Sequence, residues 1–167
     1  MKQNQTNKRI ISARNENREI PKGKGGIIFC GDCNAVHYKK SWHKNLRNYK
    51  NLRDDLAVKF STCPACAMIK NKQFEGEVKI YNAPEKISEN LIHLIENFGH
   101  RAYSAEPMHR IIDIKKTREA IIATTTENQL AVKLAKKIKD TFKKVSMKIT
   151  YSPSPSDVAY VNLTFIK

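Results

Sequence analysis

Apolar and polar positions alternate cleanly in the second half of the chain. Val78 and Ile80 alternate with Glu77 and Lys79, which predicts a strand over 77–81. Asn82-Ala83-Pro84 ends it. Leu91, Ile92, Leu94, Ile95, Phe98 and Ala102 then form a stripe at helical spacing, and Ser88 is placed to cap a helix beginning at Glu89. Gly99 either ends that helix or interrupts it. Arg110 to Ile114 and Glu119 to Ala123 read as two strands joined by a polar turn over 115–118. Thr126, with Gln129 three residues on, forms a capping box. In the helix it opens, Leu130, Leu134, Ile138 and Phe142 recur every four residues, with Ala131 and Ala135 beside them. Val145, Met147, Ile149 and Tyr151, then Val161, Leu163 and Phe165, mark two final strands around the Ser/Pro-rich turn at 152–157. The order β-α-β-β-α-β-β predicts an antiparallel sheet with both helices on one face, a ferredoxin-like split arrangement.

The first half is patterned more weakly. Residues 1–24 are polar and basic, too poor in apolar side chains to offset the entropy of ordering, and read as a disordered arm. Ile27-Ile28-Phe29 predicts a short strand, and the alternation over Asn34 to His43 predicts another. Leu46, Tyr49, Leu52 and Leu56 fall at helical spacing, so an amphipathic helix is expected over 44–56, with Lys44, Arg47, Lys50 and Arg53 on its outer face.

The chemistry of this half lies in its cysteines. Cys30-Gly31-Asp32-Cys33 and Cys63-Pro64-Ala65-Cys66 contain all four cysteines of the chain. A Cys-x-x-Cys turn brings two thiolates to one ion, and two such turns complete a tetrahedral four-cysteine shell that suits Zn2+. Two disulfides would need an oxidising compartment, and no signal peptide is visible; a cytoplasmic location is expected. A redox pair would leave the second motif unexplained, and an iron–sulfur cluster fits the two-by-two spacing less well. Four protein ligands leave no position open for water, so the metal is expected to be a scaffold. His37 and His43 are then surface groups or partners of a sulfur. The expected organisation is α+β: the arm (1–24), a zinc ribbon with an inserted helix (25–82), and the ferredoxin-like domain (83–167).

Charge adds a partner class. Lys and Arg number 31 against 16 acids, a formal charge of +15. Residues 1–60 hold 14 basic and 5 acidic side chains, and residues 105–167 hold 12 and 6, while the middle is neutral. Two contact surfaces for a polyanion are expected, with nucleic acid ahead of an anionic membrane surface. No run of apolar residues is long enough to span a membrane. Candidate nucleic-acid contacts are Lys39, Lys40, Lys44, Arg47, Lys50 and Arg53 on the ribbon and Lys133, Lys136 and Lys137 on the last helix. Trp42 has two readings, core packing first and stacking on a base second.

The segment from Cys30 to Lys40, followed by Trp42 and Cys63-Pro64-Ala65-Cys66, resembles a family of small bacterial zinc-ribbon proteins with four cysteine ligands. These are similar to the large-ribosomal-subunit export adaptor, the nonsense-mediated-decay-named zinc protein of eukaryotes and archaea. The resemblance extends to Glu106-Pro107-Met108-His109-Arg110-Ile111 and to Thr124-Thr125-Thr126 with Leu130-Ala131, and covers most of residues 27–166. Ser41 departs from it, since a basic residue is expected before the tryptophan. The resemblance implies a ribosome-associated protein that contacts ribosomal RNA, with ribosomal proteins as further neighbours.

Two other function classes stand beside this one. Some members of the family are labelled ATPases, but the chain has no Gly-x-x-x-x-Gly-Lys-Ser/Thr loop, and it is expected not to be an enzyme. The phosphate-friendly feature is Thr124 to Thr126 at a helix start, which a nucleotide-binding enzyme would use. A DNA-binding or protein-adaptor ribbon is the third class.

Overall fold

A computed structural model describes residues 26–49 and 57–166. The basic arm, Lys50, Arg53 and most of the expected inserted helix lie outside these residues.

The first unit is a four-stranded sheet. β1 (Gly26–Cys30), β2 (Val36–Tyr38), β3 (Ser41–His43) and β4 (Ala57–Ser61) lie in the order β3-β2-β1-β4. β4 runs parallel to β1, and the other pairs are antiparallel. The run 34–43, expected as one strand, folds back on itself. Tyr38 pairs with Ser41, and the two residues between them, Lys39 and Lys40, have φ of 49° and 70°. Two left-handed residues match the twist of a two-residue hairpin, so the turn forms without the usual Asn-Gly signal. Residues 44–49 make turns, not the start of the expected helix.

The unit ends in a helix that periodicity did not reveal, α1 (Pro64–Lys70). Its start follows local rules: Pro64 occupies the first turn, and the Cys63 sulfur accepts the Cys66 amide as a cap.

The second unit contains β5 (Gly76–Tyr81), α2 (Glu85–Ala105), β6 (Ile111–Lys116), β7 (Ala120–Thr125), α3 (Asn128–Phe142), β8 (Val145–Tyr151) and β9 (Ala159–Phe165). The expected element order is present. The sheet, ordered β6-β7-β5-β9-β8, is mixed and not wholly antiparallel. β9 lies beside β5 and parallel to it, while β8 forms the edge. β5 is therefore the central strand, and the boundary between units falls at 71–75, earlier than position 82.

Both helices pack against one face of this sheet. Val78, Ile80, Ile121, Ala123, Val161 and Leu163 meet Leu91 and Ile95 of α2 and Leu134 and Ile138 of α3 in one buried cluster. Helix α2 begins at Glu85, so Ser88 lies inside it with its hydroxyl buried and does not cap it. Gly99 neither ends nor interrupts α2; Ile111 packs over it, where a Cβ would come within 2.6 Å of the Ile111 side chain. Helix α3 begins at Asn128 and has no side-chain cap bond, so the expected capping box is absent.

Gly76 has no room for a side chain. A Cβ there would meet Ala131 Cβ at 2.5 Å and the Glu127 carbonyl oxygen at 3.0 Å, as well as the Thr125 hydroxyl. Backbone on the far side leaves little room to relax. Gly76→Ala is expected to destabilise by about 2 kcal/mol, read as a lower urea midpoint with an unchanged slope.

Candidate metal centre and the surfaces it fixes

The sequence places Cys30 at the end of β1, Cys33 in the turn that follows, and Cys63 and Cys66 at the start of α1. One pair comes from a β-turn and the other from the first turn of a helix, so the centre is not built from two equivalent knuckles. All four sulfurs lie within 4.8 Å of one another. The cysteines are reduced, and Cys33 Sγ and Cys63 Sγ are 3.7 Å apart. Tetrahedral coordination with Zn–S bonds of about 2.3 Å requires sulfurs about 3.8 Å apart. The cluster is compatible with a bound metal ion of the kind expected from the spacing.

The surroundings favour thiolates at one point and oppose them at others. Burial alone would raise the Cys30 thiol, but the amides of Cys63, Asp32 and Cys33 bring it down to about 7. The Cys63 amide lies 3.2 Å from the Cys30 sulfur. Burial pushes Cys66 up to about 12 and raises Cys63 further. Burial makes the Cys63 and Cys66 thiolates costly on their own, and a dication is the group that would make them favourable. Four cysteine ligands would leave such an ion no open position, which suits holding chain segments together. Asp32 and Lys70 add a surface link at 2.6 Å between the first turn and the end of α1.

The second unit closes the other side of this centre. Met108 packs against the cysteine cluster. The Tyr103 hydroxyl donates to the Cys33 carbonyl at 3.4 Å. The Arg110 guanidinium lies 4.2 Å from the Tyr103 ring centroid, and its Nε donates to the Pro107 carbonyl at 2.8 Å. Burial works against the Arg110 charge, yet the Cys33 sulfur beside it holds its pKa above the ordinary value. Thr126 fixes this loop from behind. Its hydroxyl donates to the Met108 carbonyl at 2.6 Å and accepts from the Arg110 amide at 2.9 Å. The segments 106–111 and 124–126, separate in sequence, thus form one joint against the metal centre.

That joint engages two of the three threonines that a nucleotide-binding enzyme would use. Thr125 and Thr126 are buried. The Thr125 hydroxyl donates to the Glu127 carbonyl at 2.7 Å, and that of Thr126 is used as described. Neither faces outward.

The predicted nucleic-acid residues within the described part of the chain fall in several places. Lys39 and Lys40 are exposed at the β2–β3 turn, where the Lys39 Nζ lies 5.5 Å and 5.8 Å from the Tyr38 and Tyr49 ring centroids. Arg47 is exposed in the turns that follow. Trp42 is half-buried against the cysteine cluster, edge-on to His37 with centroids 5.3 Å apart, so it serves packing. His37 is buried, not a surface group, and burial first, with the His43 charge second, lowers its pKa. Neither His37 nor His43 belongs to the sulfur cluster.

Lys44 and the lysines of α3 are joined by a residue the sequence did not single out. The Lys44 Nζ donates to the Ser104 hydroxyl at 3.2 Å and lies 5.5 Å from the Tyr103 ring centroid. Arg101, three residues before Ser104 and so on the same face of α2, lines a groove with Lys137 of α3. Lys133, one turn from both Lys136 and Lys137, continues the basic surface, and all three are exposed. Between the ribbon and α3 lysines, expected as two separate surfaces, the C-terminal half of α2 thus presents Ser104, which holds Lys44, and Arg101, which shares a groove with Lys137. Only a local contact across two elements marks Arg101, so no periodicity could have found it.

Among the described residues no helix is long and apolar enough to cross a membrane. Compared with known proteins, the chain matches no family model, no curated protein and no solved structure.

Proposed function

We propose that the chain is a zinc-dependent RNA-binding protein that sits on a ribosomal subunit. The observation that carries this reading is the set of basic side chains along the C-terminal half of α2, with Lys44 held at Ser104 and Arg101 sharing a groove with Lys137. It lies on a chain of charge +15, beside a centre able to hold a metal. The ion is zinc, and its work is to hold the β2–β3 turn and Lys44 at a fixed distance from α3. Phosphates spaced along a folded RNA meet such an array without the ordering cost that a loose lysine tail would incur. Ribosomal RNA is the polyanion that the resemblance of 30–66 and 106–131 points to.

Neutralising about six phosphates makes log K fall with log salt at a slope near −4 to −5. The protein is therefore expected to co-sediment with ribosomes at low salt and to leave them as salt rises. Arg101→Ala is expected to weaken binding at low salt and to reduce the magnitude of the slope by about 1, because one phosphate contact is lost. A protein that stays at the top of the gradient at low salt would remove the ribosomal reading.

A further inference from the structure

The helices cover one face of the second sheet. On the opposite face, Lys115, Ile122, Lys79, Asn162 and Lys148 lie side by side across β6, β7, β5, β9 and β8. Tyr81 flanks Lys79 on β5, and Tyr160 stands on β9 beside Glu77, the other neighbour of Lys79. Both tyrosines are half-buried, so their bodies are held while part of each ring meets solvent. Phe74, from the segment joining the two units, lies edge-on to Tyr160 with centroids 6.5 Å apart and an interplanar angle of 88°. Next to it, the end of α1 and the sheet enclose a cleft of about 560 Å³. Ile69 and Phe74 form its wall, Ile122 and Thr124 its floor, and Lys72 and Lys115 its rim.

We propose that this face binds single-stranded RNA, with one base in the cleft, the following bases stacked on Tyr160 and Tyr81, and the backbone held by Lys72, Lys79, Lys115 and Lys148. The RNA part of the function proposed above is assumed here; the ribosomal part is not. Aromatic rings on the central strands of an open sheet offer stacking planes to unpaired bases, whose faces are hidden inside a duplex. The charge agrees. Two acids of this face, Glu77 and Asp113, are each already bonded to a lysine, at 2.9 Å from Lys79 and 2.8 Å from Lys115. Among the described residues Lys72 and Lys148 have no acidic partner, so the face retains an excess of positive charge. Asn162, Thr164 and Thr150, beside the tyrosines, supply amide and hydroxyl groups of the kind that meet a ribose 2′-hydroxyl.

The test is fluorescence anisotropy of a labelled twelve-nucleotide unstructured RNA with the full metal-loaded chain. Tyr160→Ala and Tyr81→Ala are each expected to weaken binding about tenfold, the loss of one stacked base. Tyr160→Phe and Tyr81→Phe are expected to stay within about twofold, because the ring is kept. Thermal melts check that each variant folds; if Tyr160→Ala does not, Tyr81→Ala and Lys148→Glu carry the comparison. Alanine variants that fold and bind like the parent overturn the proposal, as does a DNA of the same sequence that binds as tightly. Tyrosine-dependent oligonucleotide binding without ribosome co-sedimentation would remove the particle and keep this face. The reverse result would remove the face and keep the particle.

Discussion

Stripping the metal with a strong chelator is expected to melt residues 26–49 and 57–70 while the second sheet stays folded. The two units have separate buried clusters. That of the second sheet contains Ile80, Leu91, Ile95, Leu134, Ile138 and Leu163, all fully buried. That of the first consists of the cysteines with Ala35 and Ala65, joined at its edge by Trp42 and Met108. β4 is exposed along its whole length, and Phe60 on it is 77% exposed. So little apolar burial cannot offset the entropy of ordering the segment. A structural zinc contributes roughly 10–16 kcal/mol, as much as the whole stability of an ordinary domain. Trp42, the one tryptophan, reports the event directly because it packs on the cluster. Its emission should shift to the red on chelation, with most of the far-ultraviolet circular dichroism retained and one equivalent of zinc released. Cys66→Ser should produce the same state without chelator. Metal-free protein with unchanged Trp42 emission would show that the sulfurs are held by packing alone.

What could be read from sequence was whatever is written in local periodicity. The alternation of Val78 and Ile80, and of Val161 and Leu163, marks strands with one face buried, and these residues are buried. The four-residue recurrence from Leu130 to Ile138 marks the inner face of α3. The doubled Cys-x-x-Cys spacing located the sulfur cluster, because two turns suffice to converge four ligands. The misses share a different cause. The placement of β9 parallel to β5 depends on long-range pairing, which leaves no trace in either strand's own alternation. Helix α1 has seven residues, too few for a hydrophobic period; Pro64 after Cys63 is the local signal that could have located its start. The Lys39-Lys40 turn lacks the residues that normally announce one. Thr126 looked like a cap because Gln129 follows it at the right distance, but a tertiary partner takes its hydroxyl. A cap would use the Thr126 oxygen to accept a helix amide; here the Arg110 amide competes for that oxygen and wins, while the hydroxyl proton goes to the Met108 carbonyl.

That competition gives the second large effect. Thr126→Val keeps the shape of the side chain and removes the hydroxyl, leaving the Met108 carbonyl and the Arg110 amide without this partner. With two partly buried polar groups affected, the expected loss is about 3 kcal/mol. For a chain of this size that corresponds to roughly 10 °C in melting temperature. The loss should not stay local. Met108 packs on the cysteines and Arg110 lies beside Cys33, so loosening residues 108–110 opens one wall of the metal centre. Zinc transfer to a colorimetric chelator should therefore be faster in Thr126→Val than in the parent, although the residue is no ligand. Thr126→Ser, which keeps a hydroxyl, should restore most of both properties. Thr126→Asp separates this role from helix capping. Aspartate is a good cap but has no proton to donate to the Met108 carbonyl at neutral pH, so capping predicts retained stability and the joint predicts a loss. A Thr126→Val protein as stable as the parent, with unchanged zinc release, would mean that the loop is held by Arg110 and Tyr103 alone.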